Sequence, residues 1–248
     1  MKGVILAGGT GTRLYPLTKV TNKHLLPVGK EPMVFNPVRQ MVSAGITDIL
    51  VVTGKDHMGE IVRLLGSGMD FNCNFTYRVQ EKAGGIADAL ALAKGFANHE
   101  PVVVILGDNI LTHSIKKHVD AFGKQPSGAK VLLKRVGDPE KFGVAALDEL
   151  KKMIIKIEEK PENPKSDYAV IGVYMYDYRV FDVIETIQPS ERGELEITSV
   201  NNWYVGHNAM TYDLVDGEWT DAGTFESLLY ANQMLFATNN IIRKDGEQ

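Results

Sequence analysis

The stretch Leu6-Ala7-Gly8-Gly9-Thr10-Gly11-Thr12-Arg13-Leu14 decides how the first half of this chain is interpreted. It follows an apolar run at residues 3–6, which predicts a buried strand. Three glycines in four positions allow a tight turn that comes close to a ligand, and successive free N–H groups there form an anion site. Arg13 can hold a phosphate through two hydrogen bonds. The stretch predicts a polyphosphate site, with an ordinary turn and a surface arginine as the alternative.

Two common phosphate-binding loops do not match this stretch. A Walker A loop ends in Gly-Lys-Ser/Thr, whereas Gly11 is followed by Thr12 and Arg13. A dinucleotide-binding loop needs a third glycine, and Leu14 occupies that position. Both of these nucleotide-binding classes are therefore excluded.

The composition of the chain excludes several classes of protein. Its 248 residues are enough for a sizeable core, and a net charge of −4 gives no indication of a nucleic-acid or anionic-membrane surface. The single cysteine, Cys73, excludes an internal disulfide and a cysteine-rich metal site. No apolar run approaches the ~18 residues of a membrane span, and residues 1–10 begin a strand rather than a signal peptide. We expect a soluble cytoplasmic protein that binds neither nucleic acid nor membrane.

Strand-like and helix-like patterns alternate through the first half. Strands are predicted at 2–7, 48–53, 74–80, 101–106 and 130–136, and helices at 33–44, 58–65, 86–97 and 114–122. The alternation predicts a Rossmann-like α/β fold, with a mostly parallel, mixed sheet flanked by helices. Ligands of such folds bind beyond the carboxyl ends of the strands, where the glycine loop and Asp108 both lie.

The second half has a different pattern. It predicts a hairpin from 144–147 and 153–158, strands at 168–176 and 208–215, and helices at 178–187, 196–205 and 224–237. We interpret this half as an extension of the same sheet that completes the site. No linker is recognisable, so we expect one domain with two lobes.

Two carboxylates are candidate magnesium ligands. Asp108 follows the most apolar predicted strand, and Mg²⁺ is held by few carboxylates together with phosphate or water. Asp221 lies in Trp219-Thr220-Asp221-Ala222-Gly223-Thr224 and would complete a two-carboxylate site. A turn cap for Asp108 and a helix cap for Asp221 are the alternatives.

Three further cations lie in positions suited to phosphates. Lys23 follows the glycine loop, Lys160 ends a predicted strand, and Arg192 precedes a predicted helix. Each can equally be a solvated surface side chain. His113 and His118 lack metal-ligand spacing and are interpreted as surface residues, and no Ser-His-Asp set or cysteine nucleophile is recognisable. Cations, a glycine loop and two carboxylates suit phosphoryl or nucleotidyl transfer.

The chain resembles the sugar-phosphate nucleotidylyltransferase family through motifs that occur in the family's order. These are the glycine loop at 8–14, Lys23 with Leu26-Pro27, Gly107-Asp108-Asn109, Glu159-Lys160-Pro161, Arg192-Gly193-Glu194-Leu195-Glu196-Ile197-Thr198 and Trp219-x-Asp221-x-Gly223-Thr224. The match extends from residue 1 to about 236, and residues 192–198 are typical of the thymidylyltransferase branch. The resemblance implies the nucleotide-diphospho-sugar transferase fold, Mg²⁺ as cofactor, and dTTP and glucose 1-phosphate as substrates.

The resemblance also implies roles for individual residues. It assigns catalysis to Arg13, Lys23 and Lys160, and metal binding to Asp108 and Asp221. The implied nucleotide-binding residues are Leu6, Gly8, Gly9, Gly11, Thr12, Arg13, Lys23, Gln80, Gly85 and Asp108. The implied sugar-phosphate-binding residues are Asn109, Gly143, Glu158, Glu159, Lys160, Val170, Gly172 and Arg192. A nucleotide-binding lobe at about 1–125 and a sugar-phosphate lobe at about 126–248 would form one domain over 1–248.

Some positions depart from the family's pattern. Residues 81–84 replace a Pro-rich turn, while His24, Phe142 and Ile171 replace a common Gln, Tyr and Thr. UTP, another hexose 1-phosphate, or a non-catalytic regulatory subunit on the same fold therefore stay as alternatives. Relatives assemble into dimers or tetramers, which implies a homo-oligomer.

Overall fold

The computed structural model describes the backbone of residues 1–245 and the side chains of residues 1–237. Thirteen strands and eight helices are assigned within that range. In chain order they are β1 (Lys2–Ala7), β2 (Pro27–Val28), β3 (Glu31–Pro32), α1 (Phe35–Ser43), β4 (Asp48–Gly54), α2 (Met58–Leu65), β5 (Asn74–Gln80), α3 (Ile86–Ala91), α4 (Lys94–Ala97), β6 (Val102–Leu106), β7 (Asn109–Leu111), α5 (Lys116–Phe122), β8 (Ala129–Arg135), β9 (Gly143–Asp148), β10 (Met153–Glu159), β11 (Tyr168–Tyr176), α6 (Val180–Thr186), α7 (Ile197–Gly206), β12 (Met210–Leu214), β13 (Trp219–Asp221) and α8 (Phe225–Asp245).

A nine-stranded mixed sheet forms the centre of the molecule. Its parallel part has the order β6-β1-β4-β5, so the carboxyl ends of these four strands meet at one edge. Strand β11 runs antiparallel beside β6 and also pairs with β8 and β9, which brings the second half of the chain into the same sheet. The predicted α/β fold with a mostly parallel, mixed sheet is confirmed.

The two faces of the sheet are covered by separate apolar clusters. Alternate residues of β1 point to opposite faces, so Val4 belongs to the cluster with α3, α6 and α7, whereas Ile5 belongs to the cluster with α1, α2 and α5. Each fully buried aliphatic side chain contributes roughly 1.5–3 kcal/mol. A third cluster, under α8, contains Leu14 and Leu26. It therefore holds both ends of residues 14–26, the segment that follows the glycine loop.

Two helix predictions differ from the structure. The predicted helix at 86–97 is divided into α3 and α4, because the Ala93 amide bonds to the Leu90 carbonyl at 2.9 Å and tightens the chain there. The helix predicted at 33–44 spans 35–43, and Pro37 lies in its first turn, where a missing N–H is tolerated, so the proline does not interrupt it.

The surface interpretation of His118 is wrong. This side chain is buried between α5 and β12, where its Nδ1 lies 2.8 Å from Asp213. Lys130 of β8 reaches the same carboxylate at 3.0 Å. His113 is exposed, as predicted. No helix among residues 1–245 combines the length and apolarity needed to cross a membrane.

Candidate active site

A cleft of about 370 Å³ opens at the carboxyl ends of the parallel strands. It brings together most of the sequence-predicted site residues. Those that line it are Leu6, Gly8, Gly9, Arg13, Lys23, Gln80, Gly85, Asp108, Asn109, Gly143, Glu159, Lys160, Val170, Gly172 and Asp221. Gly11, Thr12, Glu158 and Arg192 do not line it.

The glycine loop after β1 allows two functional side chains to come close to the backbone. A Cβ at Gly8 would lie 2.9 Å from Gln80 Oε1, and one at Gly9 would lie 3.3 Å from Lys23 Nζ. Gly11 has φ +66, a left-handed conformation suited to glycine, and its carbonyl accepts a bond from Thr18 Oγ1 at 2.9 Å. Thr12 begins a short 3₁₀ turn. Gly11 and Thr12 therefore shape the loop from outside the cleft.

The two predicted metal ligands lie on hydrogen-bonded segments. Strand β13 pairs with β7 so that Asp221 is opposite Asn109, the neighbour of Asp108. The Ala222 amide also donates to the Asp108 carbonyl at 2.8 Å. Sequence patterns gave no signal for this two-stranded ladder, because each strand has only three residues. The ladder brings two carboxylates, more than one hundred residues apart in sequence, to one end of the cleft.

The cap alternatives for these carboxylates are not supported. Thr224 caps α8, since its Oγ1 accepts a bond from the Ser227 amide at 3.2 Å. The Asp108 carboxylate accepts bonds from two side chains instead of capping a turn: Lys23 Nζ at 2.5 Å and Asn109 Nδ2 at 3.1 Å.

The two carboxylates have opposite pKa shifts. Burial would raise the pKa of Asp108, but the charge and hydrogen bond of Lys23, together with His24 and the hydrogen bond from Asn109, outweigh burial and hold this pKa well below its usual range. Burial and the negative charge of Asp108 raise the pKa of Asp221 to about 6, with Arg13 and Lys23 opposing the shift. Lys23 thus favours the ionised form of both carboxylates.

Asn109 joins three segments of the cleft. Its Oδ1 accepts bonds from the Gly172 amide at 2.9 Å and from Trp219 Nε1 at 2.7 Å, while its Nδ2 donates to Asp108. A Cβ at Gly172 would lie 2.6 Å from this amide, so glycine is needed for the approach. Asn109 thus connects the carboxylate end of the cleft to β11.

The wall formed by β9 and β10 carries the candidate sugar-phosphate residues. Glu159 Oε2 accepts a bond from Thr198 Oγ1 at 2.5 Å, and both side chains lie close to Gly143. Lys160 Nζ is 3.6 Å from Glu159 Oε1 and half exposed, and is therefore free to reach an anion.

Glu158 points away from the cleft, whereas Arg192 lies beside the lining residues Glu194 and Glu196 without lining the cleft itself. Successive side chains of a strand point to opposite faces, so Glu158 leaves the cleft and contacts Lys156 and Lys165 at 3.0 and 3.3 Å. Arg192 pairs with Glu194 at 3.0 Å and remains half exposed. A role for either residue requires a movement toward the cleft.

The opposite wall presents a hydrogen-bond acceptor. Gln80 Nε2 donates to Asp88 at 2.7 Å and to the Gly85 carbonyl at 3.3 Å. These bonds orient the amide, and Oε1 has no partner among the described residues although it lines the cleft. Gly85 has φ +100 and lies directly against Leu195.

Several lining residues were not predicted as site residues. They include His24, Tyr174, Thr198, Asn201 and Trp219. The pKa of His24 is lowered to about 3 by burial and by the Lys23 charge, so its imidazole is neutral. The alternation Val170, Gly172, Tyr174 along β11 is a signal that could have identified Tyr174.

Three of the known proteins that this chain is similar to illustrate the comparison. A glucose-1-phosphate thymidylyltransferase of Neisseria meningitidis is 41% identical over 244 residues, covering 97% of this chain and 84% of the relative. A Bacillus anthracis protein, provisionally assigned as a glucose-1-phosphate thymidylyltransferase and solved with sucrose, is 57% identical, with a TM-score of 0.90 and 94% of both chains covered. UDP-glucose pyrophosphorylase solved with UDP-glucose has the same fold, with a TM-score of 0.84 at 24% identity and coverage of 95% and 98%.

The match to a protein family extends over nearly the whole chain. The family model described as nucleotidyl transferase matches residues 2–238, a range that includes every residue lining the cleft. The resemblance based on sequence motifs is confirmed, and this chain belongs to the nucleotidyl transferase family.

Proposed function

We propose that the protein transfers a thymidylyl group from dTTP to α-D-glucose 1-phosphate, giving dTDP-glucose and pyrophosphate. The observation that carries this proposal is the cleft itself, in which Asp108, Asp221, Arg13, Lys23 and Lys160 line the same space as the glycine loop. The relatives from Neisseria meningitidis and Bacillus anthracis carry the name of this reaction.

The nucleotide would occupy the side of the cleft next to the glycine loop. Arg13 and Lys23 would bind the triphosphate, with Gly8 and Gly9 allowing close approach. Gln80 Oε1 would accept the ring N3–H of the base. Thymine and uracil carry that proton and cytosine does not, so the oriented amide favours dTTP or UTP over CTP.

The sugar phosphate would occupy the wall formed by β9, β10 and β11. Lys160 would hold its phosphate, and Glu159 with the backbone at Gly143, Val170 and Gly172 would surround the ring. We propose that the lobes at about 1–125 and 126–248 act as one domain, because β11 pairs with both β6 and β9.

Mg²⁺ fits Asp108 and Asp221. No group of three His, Cys, Asp or Glu side chains suited to a metal occurs in the described part of the chain, so phosphate or water oxygens would complete the coordination. This is the donor set that Mg²⁺ favours, and burial beside the Asp108 carboxylate raises the pKa of Asp221. When bound, Mg²⁺ would neutralise charge on the triphosphate.

The reaction needs no general base. A phosphate monoester has a second pKa of about 6, so at pH 7 the sugar phosphate is largely a dianion and a ready nucleophile. One of its oxygens would attack the α-phosphorus in line, forming a P–O bond while the bond to pyrophosphate breaks. Arg13 and Lys23 would neutralise the leaving pyrophosphate, and Lys160 would orient the attacking phosphate.

The test is pyrophosphate release by the purified protein with glucose 1-phosphate, Mg²⁺ and either dTTP, UTP or CTP. We expect fast release with dTTP, loss of release on chelation, and slow release with CTP. A faster rate with UTP, or with another hexose 1-phosphate, would keep the mechanism and change the substrate. Binding of glucose 1-phosphate without any release would instead support a non-catalytic subunit.

A further inference from the structure

The Gln80 side chain lines the cleft with a single free hydrogen-bonding atom. Its Nε2 donates to Asp88 Oδ2 at 2.7 Å and to the Gly85 carbonyl at 3.3 Å. A primary amide nitrogen carries two N–H groups, so these two partners use both of them. Oε1 has no partner in the described part of the chain, and a Cβ at Gly8 of the glycine loop would lie 2.9 Å from it. Gln80 therefore offers a ligand an acceptor and no donor.

Asp88 is the stronger of the two partners of this amide. An ionised carboxylate accepts hydrogen bonds and donates none, so the atom of Gln80 that faces it must be the nitrogen. A bond to a charged acceptor at 2.7 Å is stronger than a neutral bond at 3.3 Å, so Asp88 has more influence than Gly85 on the orientation. Among the described residues, Gln80 is the only side chain that bonds to the Asp88 carboxylate.

The surrounding backbone holds Asp88 against Gln80. Gln80 ends strand β5, and Asp88 lies in the first turn of α3. The start of this helix is fixed, because Ala87 is fully buried and its amide donates to the Leu195 carbonyl at 3.1 Å. A Cβ at Gly84 would lie 2.6 Å from the Asp88 carboxylate, so glycine at that position leaves room for the side chain.

Asp88 acts from outside the cleft. It does not line the cleft, although Ile86 and Ala89 of the same helix do. A ligand in the cleft would therefore contact Gln80 and not the carboxylate. Asp88 can influence such a ligand only through the amide that it orients, which makes it a positioning residue.

An acceptor at this place separates the pyrimidine bases by their ring N3. Thymine and uracil carry a proton on N3, which Gln80 Oε1 can accept, whereas N3 of cytosine is itself an acceptor. Cytosine would place two acceptors against each other, and both would lose their bonds to water without replacement. If the amide were reversed, its N–H groups would face the base and cytosine would be the better partner. The orientation of the amide thus selects the class of base.

We propose that Asp88 sets the base specificity of the enzyme by holding Gln80 in the orientation that accepts a hydrogen bond from the base. Asparagine at position 88 can donate as well as accept, so it would support either orientation of Gln80. The inference rests on the proposed function, because it takes a nucleoside triphosphate with its base beside Gln80 as the ligand. Asp88 is then a determinant of specificity that neither touches the nucleotide nor takes part in the bond-forming step.

The test measures binding of dTTP and dCTP by calorimetry with Mg²⁺ and without a sugar phosphate, so that it does not require turnover. The wild type should bind dTTP about tenfold more tightly than dCTP, the fold-change of one hydrogen bond. Asp88→Asn should bring the two affinities close together and should tighten the binding of dCTP itself. Structural damage at this position would weaken the binding of both nucleotides and would not tighten that of dCTP.

A double-variant cycle checks that Asp88 acts through Gln80. Gln80→Ala removes the amide and should by itself abolish most of the selectivity. Adding Asp88→Asn to Gln80→Ala should then change neither affinity, because the group that Asp88 orients is gone. Asp182→Asn is the matched control: it removes an exposed carboxylate on α6, 3.5 Å from Lys94, and should leave both affinities unchanged.

A wild type that prefers dTTP, with the same preference in Asp88→Asn, would overturn the inference and leave nucleotidyl transfer intact. An effect of Asp88→Asn that persists in the Gln80→Ala variant would also overturn it, because Asp88 would then act by another route. Equal binding of dTTP and dCTP by the wild type would overturn both this inference and the contact of Gln80 with the base. If the wild type binds neither nucleotide, the proposed function fails as well, so the failures are distinguishable.

Discussion

Asp108 connects three of the groups on which the proposed chemistry depends. Its carboxylate bonds to Lys23 and Asn109, and its carbonyl accepts the amide next to Asp221. We expect Asp108→Asn to lower Mg²⁺-dependent pyrophosphate release by about 100-fold or more, since loss of one preorganised charged group costs roughly 2.7–4 kcal/mol of transition-state stabilisation. The measurement is kcat at saturating dTTP and glucose 1-phosphate.

A matched control for this change is Asp120→Asn. Asp120 is half exposed on α5 and pairs with Lys116 at 3.0 Å, so its loss should leave kcat within about twofold of the wild type. Near-normal turnover of Asp108→Asn would remove Asp108 from the metal site.

Lys160 allows the two substrates to be separated. Its ammonium contacts only the neighbouring Glu159 among the described residues, at 3.6 Å, and its side chain is half exposed. We expect Lys160→Ala to raise KM for glucose 1-phosphate by about 10- to 100-fold, as for loss of a charged hydrogen bond of roughly 1.5–3 kcal/mol. KM for dTTP should change by less than about twofold. Steady-state kinetics with each substrate varied in turn would measure both constants.

The control for Lys160→Ala is Lys156→Ala on the same strand. Lys156 is exposed and pairs with Glu158 at 3.0 Å, outside the cleft. Both KM values should stay near those of the wild type. Equal increases in the two KM values for Lys160→Ala would argue against its role at the sugar phosphate.

At the scale of elements, the sequence predicted those features whose residue pattern lies in one continuous stretch of the chain. Strand β1 followed by glycines, and β6 followed by Asp108, are continuous in sequence, and both were predicted where the structure has them. The β7–β13 ladder was not predicted, because its three-residue strands have no periodicity to detect. Asn201 was missed for a similar reason: its orientation depends on Tyr176 of another element.

The contacts of Asp213 on β12 with His118 on α5 and Lys130 on β8 lead us to predict that the stability of the fold depends on pH. A bond from His118, with another from Lys130, lowers the pKa of Asp213 to about 2 despite partial burial. Since the folded pKa is depressed, the carboxylate stabilises the fold above its unfolded pKa of about 4, and this contribution is lost as the pH falls from about 4 to about 2.

We therefore expect Asp213→Asn to lower the free energy of unfolding at pH 7 by about 2 kcal/mol. Breaking a fully buried ion pair costs more, ~3–5 kcal/mol, but the Asp213 side chain is partly exposed. Urea unfolding at pH 7 should show this difference, and at pH 3 the gap to the wild type should be smaller. Asp216→Asn breaks the exposed pair with Lys117 and should change stability by less than about 0.5 kcal/mol. A gap that does not depend on pH would contradict this account of Asp213.

At the scale of the whole molecule, backbone hydrogen bonds join the two walls of the cleft. The Leu195 amide donates to the Gly84 carbonyl at 2.8 Å, and the Ala87 amide donates to the Leu195 carbonyl at 3.1 Å. These bonds join the loop after β5, on the side proposed to contact the base, to the segment before α7, the helix that carries Thr198. A change at this junction should therefore affect both substrates together.

Gly85 is the position at which to test that coupling. It has φ +100, and a Cβ would lie 2.5 Å from the Leu195 carbonyl oxygen, so alanine there is strained and displaces backbone. We expect Gly85→Ala to raise KM for both dTTP and glucose 1-phosphate and to lower stability by about 2–3 kcal/mol. Gly95→Ala is the matched control, because a Cβ on that α4 residue meets nothing within 4 Å and alanine favours a helix by up to ~1 kcal/mol. If Gly85→Ala raised KM for dTTP alone, the two sides of the cleft would act independently, and the backbone bonds through Leu195 would hold the fold without coupling the substrates.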